Sequence, residues 1–137
     1  MDEKRYTNLL ERAYSKIPPM VSKIDRFEIL SPNSAVIGNR TIIQNFRDVC
    51  DRIHRDQQHL LRFLSKELAT AGTIEGSHAI FQGKFLSSLL ERLVERYVNE
   101  FVLCPVCHQP DTKITREGRF HFLVCDACGA KSSCRAL

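Results

Sequence analysis

An apolar stripe at helical spacing closed by Pro18-Pro19, an alternation of short β-like runs with longer helical stripes over residues 25–101, and two Cys-x2-Cys pairs near the C-terminus predict an α+β chain in three parts. The parts are an N-terminal helix with a partner-seeking face (residues 1–17), joined by a linker (18–24) to a small α-β core domain with a linking helix (25–101), and a C-terminal zinc ribbon (102–137). The α-β domain is expected to hold an antiparallel sheet packed by helices.

The helix comes first. Tyr6, Leu9, Leu10, Ala13, Tyr14 and Ile17 fall on one face of a 3.6-residue period. A lone helix of this length is marginal in water, so the stripe must be covered by something. Pro18-Pro19 and the spacer Met20-Val21-Ser22-Lys23 separate it from the rest of the chain, which favours a cover from another polypeptide over folding back.

In the second part, Phe27–Leu30 and Ala35–Ile37 flank Ser31-Pro32-Asn33-Ser34 and read as a β-hairpin. Thr41 with Gln44 then reads as a capping box opening a helix that buries Ile42, Phe46, Val49, Cys50 and Ile53. A second helix starts near Asp56, carries Leu60, Leu61, Leu64 and Leu68, and ends at Ala71-Gly72. Gly72–Glu75 and His78–Gln82 flank the two-residue turn Gly76-Ser77. A third helix, from about Phe85 to Phe101, runs almost directly into Cys104 and either covers the sheet or bridges the two domains. Arg47, Arg52, Arg55, Arg62 and Lys66 alternate with Asp48, Asp51, Asp56 and Glu67, the pattern of a solvated helix face.

The third part carries the chemistry. Cys104-Pro-Val-Cys107 and Cys125-Asp-Ala-Cys128 have the spacing of a four-cysteine zinc site, and Gly129 suits the left-handed backbone after a knuckle. Thr112–Thr115 and Arg119–Val124, joined at Glu117-Gly118, are the expected ribbon strands. So short a segment cannot fold on its own apolar surface, so one structural Zn2+ supplies the missing free energy, and four thiolates leave no open position for catalysis. His108 is expected to face solvent, Cys50 and Cys134 to fill apolar space, and Phe120 with Phe122 to belong to the ribbon core more than to a base-stacking face.

Composition excludes several classes. With 43% hydrophobic and 26% charged residues, only 6 Gly and 5 Pro, and no apolar run near the roughly 18 residues of a membrane span, the expectation is a soluble cytoplasmic chain with no membrane partner. Residues 1–23 and 103–137 each hold five bases against three acids, while 24–102 hold ten of each, so nucleic acid is not gripped by bulk charge. No nucleotide-binding glycine loop, serine-hydrolase elbow or His-Glu-x-x-His motif occurs. Cys50 and His54, four apart, are the remaining candidate for a thiol–imidazole pair, with no third orienting group in sight.

Gly38-Asn39-Arg40-Thr41-Ile42-Ile43-Gln44-Asn45-Phe46, Gly72-Thr73-Ile74-Glu75-Gly76 and the terminal Cys-x2-Cys ribbon, in this order behind a Pro-Pro break, resemble the beta subunit of translation initiation factor 2 in its archaeal form. The resemblance spans nearly the whole chain and lacks the lysine-rich N-terminal extension of eukaryotic counterparts. It implies a non-catalytic subunit of a heterotrimer with alpha and gamma subunits. That heterotrimer delivers initiator methionyl-tRNA to the small ribosomal subunit, with GTP bound and hydrolysed on gamma. It also implies that the N-terminal helix docks on gamma, making Tyr6, Leu9, Leu10, Ala13 and Tyr14 the anchors, and that mobile α-β and ribbon domains lie near the nucleotide switches and tRNA. Lys113, Arg116, Arg119, Lys131 and Arg135 are the candidate RNA contacts. The competing reading is a DNA-binding transcription factor, with the paired helices as a winged-helix-like recognition motif beside the ribbon.

Overall fold

The structure, a computed structural model, describes residues 2–17 and 28–137. The expected linker and Phe27 therefore lie outside the described residues. Helix α1 (Glu3–Lys16) is followed by β1 (Ser34–Ile37), β2 (Arg40–Ile43), α2 (Phe46–Ile53), α3 (Gln57–Leu68), β3 (Gly72–Glu75), β4 (His78–Gln82) and α4 (Ser87–Tyr97). The last turn of α4 widens into a π-helical segment, Val98–Val102, and a three-stranded ribbon follows: β5 (Thr112–Glu117), β6 (Phe120–Cys125) and β7 (Lys131–Cys134). The architecture is α+β, as expected.

Two local hairpins build the first sheet. β1 pairs with β2 and β3 with β4, both antiparallel, and β2 against β4 joins them in the order β1-β2-β4-β3. The first hairpin differs from expectation: its turn is Gly38-Asn39, and residues 28–33 form no strand. Gly38 at φ +60 supplies the positive dihedral that a two-residue hairpin turn demands at its first central position, whereas Pro32 in the competing turn has no N–H to give a ladder. The same Gly-X turn recurs at Gly76-Ser77 and Gly118-Arg119.

Thr41 is not a helix cap. It lies in β2, fully buried, and its hydroxyl donates to Gly83 O (2.8 Å) and accepts from Phe85 N–H (3.0 Å), closing the sheet against the entry to α4. α2 instead starts after Asn45, whose side chain accepts from Asn33 N–H (2.7 Å) and donates to Ser31 O (3.0 Å), pinning the segment before β1. Ile42 accordingly sits in a strand and not on the helix. Asp56 caps α3 as expected, accepting from Gln58 N–H, but the helix closes on Ala69 in the left-handed conformation, not at Gly72.

One face of the sheet carries Thr41, Ile43, Ala79 and Phe81 into a core completed by Phe46, Val49 and Ile53 of α2, Leu60, Phe63 and Leu64 of α3, and Leu90, Val94, Tyr97 and Phe101 beyond. Gly72 is glycine because Phe81 needs the space: a Cβ there would lie 2.6 Å from the Phe81 ring and 2.9 Å from Ser65 Oγ. Since that ring is fully buried it cannot swing away, and Gly72→Ala is expected to cost about 1–3 kcal/mol of stability in urea unfolding. Among the described residues no helix is long and apolar enough to cross a membrane.

Candidate metal centre and exposed N-terminal helix

The two Cys-x2-Cys segments fold into matching knuckles. In the first, His108 N–H donates to Cys104 O and Cys104 N–H to Gln109 O; in the second, Gly129 N–H donates to Cys125 O and Cys125 N–H to Ala130 O. The residue after each pair takes the left-handed conformation, His108 at φ +57 and Gly129 at φ +74. Asp126 N–H donates to Asp111 O and ties the second knuckle to the strand leaving the first.

This geometry brings Cys104, Cys107, Cys125 and Cys128 together with every sulfur within 4.8 Å of the others. Cys104 Sγ lies 3.6 Å from Cys128 Sγ, and Cys107 Sγ 3.4 Å from Cys125 Sγ. A tetrahedral four-thiolate site with metal–sulfur bonds of about 2.3 Å has sulfur–sulfur edges of about 3.8 Å, so the cluster can hold a metal ion with small adjustment. The backbone N–H of Cys107 foremost, against an opposing effect of burial and with help from Val106 N–H, draws the Cys104 thiol down to about 6. His108 is exposed, and the four sulfurs form the cluster without it.

Helix α1 presents Tyr6, Leu9, Leu10, Ala13 and Tyr14 along one face, and among the described residues nothing covers it. Tyr6 is 58% and Tyr14 67% exposed, and no residue of the helix is buried.

The five candidate RNA-contacting cations do not form one patch. Strand alternation puts Lys113 and Lys131 on the same ribbon face, both paired in register with Val124, and Arg116 on the opposite face. Lys113 sits 3.5 Å from Asp126 and Lys131 2.6 Å from Glu117, while Arg119 is exposed in the β5–β6 turn. Arg135 turns toward the helices, onto Glu67 (3.4 Å) and Glu100 (2.6 Å). Phe120 is not ribbon core: it is 68% exposed, while Phe122, on the same face, is half-buried with Lys131 4.5 Å above its ring. The buried face of β6 is the one bearing Leu123 and Cys125, the latter one of the four clustered cysteines.

Cys50 and His54 lie in different surroundings. Cys50 is fully buried, and burial, then Asp51 and Asp56, push its thiol up to about 12; His54 is exposed at the left-handed end of α2. Two structural features near the candidate site escape the sequence pattern. One is β7, a polar four-residue strand, Lys-Ser-Ser-Cys, whose Cys134 packs against the main core. The other is Arg55, expected on a solvated face but half-buried where α2 and α3 meet the ribbon.

His59 lies in the same region. Its Nδ1 is 2.7 Å from Tyr97 Oη, and its ring meets Phe101 edge-on at 5.1 Å. Burial first, then the charge on Arg55, hold its pKa below the ordinary histidine value, so the native state prefers the neutral ring. A histidine depressed in this way contributes stability that is present above about pH 6.5 and is lost as pH falls below it through the folded-state value. Urea titrations at pH 7 and 5 are therefore expected to show a loss of stability that is smaller in His59→Gln.

The family model for a domain found in initiation factors 2B and 5 matches residues 19–131. The chain is 51% identical to translation initiation factor 2 subunit beta of Methanococcus maripaludis and 50% identical to that of Methanococcus vannielii, each over 132 residues and 96% of both chains. With the family model matching most of the chain and about half of the residues identical over 96% of its length, the chain belongs to the family of archaeal translation initiation factor 2 beta subunits.

Proposed function

We propose that this chain is the non-catalytic beta subunit of a heterotrimeric initiation factor and works in the cytoplasm. Helix α1 binds the gamma GTPase subunit, an alpha subunit completes the heterotrimer, and the assembly helps deliver initiator methionyl-tRNA to the small ribosomal subunit. The observation that carries the reading is the uncovered stripe of α1. A 14-residue helix showing two tyrosines and two leucines to solvent gains little by folding alone and is suited to an apolar groove on another protein. Tyr6, Leu9, Leu10, Ala13 and Tyr14 are the proposed anchors.

The metal we assign to the four cysteines is Zn2+, in a structural role: thiolates favour it, and four of them leave no position for water or substrate. It would hold the knuckles at the ends of the ribbon strands. Lys113, Arg119 and Lys131 remain proposed RNA contacts. Arg116 and Arg135 are weaker ones, because Arg116 donates to Gly118 O and Arg135 is held by two glutamates. The DNA-binding alternative is not favoured, since the exposed face of α2 mixes Arg47 and Arg52 with Asp48 and Asp51, with Arg47 and Asp51 3.8 Å apart.

Binding of the full chain to a purified gamma-type GTPase tests the assignment. Deleting residues 1–17 should abolish the association, and retention of full affinity by the truncated chain would overturn it.

A further inference from the structure

Arg55 stands at the junction of three segments and has no carboxylate partner among the described residues. Its Nε and Nη2 donate to Phe101 O (3.3 and 2.8 Å), Nη1 to His54 O (3.0 Å) and Thr112 O (2.7 Å), and Nη2 also to Thr112 Oγ1 (2.6 Å). The Thr112 hydroxyl donates onward to Val102 O. Phe101 and Val102 end the π-helical segment, where carbonyls have lost their helical partners and need outside donors. Thr112 is the first residue of the ribbon sheet. One guanidinium thus satisfies the end of the linking helix and the start of the ribbon at once, with all five of its N–H donors engaged.

We infer that Arg55 is the positioning residue that locks the ribbon onto the α-β domain, so that the two meet tRNA, ribosome or partner subunit as a single rigid body. Around this clasp, Ile114, Cys134 and Leu137 pack against the main core. Arg135 reaches Glu67 and Glu100, its guanidinium 5.6 Å from the Phe63 ring and 5.8 Å from that of Phe101. The Arg135 pairs are open to solvent and screened, whereas the Arg55 bonds are half-buried and fixed in direction. Orientation is therefore assigned to Arg55. Lysine cannot replace it, because a single ammonium with three donors cannot span acceptors on three segments. The inference stands independently of which partner the protein serves.

Residual dipolar couplings measured on the full, zinc-loaded chain provide the test, with amides of residues 28–102 and of the ribbon strands fitted separately. One alignment tensor is expected to describe both sets in the parent protein. Two different tensors are expected in Arg55→Met, with metal content and the chemical shifts within each ribbon strand retained; Arg55→Lys should not restore the single tensor. Thr112→Val removes the shared hydroxyl without touching the arginine and is expected to separate the tensors as well, which keeps the test open if Arg55→Met folds poorly. Arg135→Ala should keep one tensor. Two tensors in the parent protein, one tensor in both Arg55→Met and Thr112→Val, or separation by Arg135→Ala alone would each overturn the assignment.

Discussion

Leu10→Asp in the full chain is expected to weaken binding to the gamma GTPase by about a hundredfold or more while leaving the unfolding transition unchanged. Leu10 sits in the middle of the α1 stripe and none of that helix is buried, so the fold loses nothing when the leucine goes. Burying a leucine in a partner groove is worth about 1.5–3 kcal/mol. Placing a carboxylate in the same groove adds a desolvation cost, and each 1.4 kcal/mol is a tenfold change in affinity. Asn8→Ala, on the polar side of the helix, supplies the control and should change affinity less than threefold. Calorimetric titration of the two variants checks both; equal affinities for Leu10→Asp and the parent chain would remove α1 from the interface.

The other large effect is expected at the metal. Cys104→Ser should lose zinc and, with it, the resolved amide signals of β5, β6 and β7, while the signals of residues 28–102 stay dispersed. Structural zinc sites contribute on the order of 10–16 kcal/mol to folding in isolated fingers, far more than the few apolar side chains of this ribbon can supply. Of these, Ile114, Cys134 and Leu137 lie against the α-β core, so the melting temperature of the remaining domain should fall as well. Cys134→Ser, outside the cluster, is expected to keep its full metal content. Metal analysis beside an amide correlation spectrum separates the outcomes, and a Cys104→Ser protein that still carries one zinc per chain would count against four-thiolate ligation.

What was legible in the sequence was local. The α1 stripe, the Asp56 cap, the Gly76 hairpin and the paired cysteines each declare themselves within a few residues, because period, cap and turn chemistry act over that range. The misreadings arise where tertiary partners decide. Thr41 looks like a cap because Gln44 follows it, yet its hydroxyl is taken by Gly83 and Phe85, 42 and 44 residues away. Arg55 looks like one more surface cation until Phe101 and Thr112, 46 and 57 residues distant, arrive to accept from it. β7 has no apolar alternation and is a strand only because β6 offers an edge. Phe120 belongs inside by its chemistry and lies outside because Leu123 and Cys125 occupy the inward face of β6, and strand alternation puts Phe120 on the other.

The strand order of the first sheet also sets how the chain reaches its native state. Each outer ladder closes over a two-residue turn, so both hairpins can zip as soon as their own residues are available, whereas the ladder pairing Thr41 with Phe81 must wait for α2 and α3 to fold between them. Loop-closure entropy falls on that one seam. The slow step in forming this sheet is therefore the meeting of two prefabricated halves. Changes within either hairpin, whose ladder is already formed when the halves meet, should retard refolding more than they hasten unfolding.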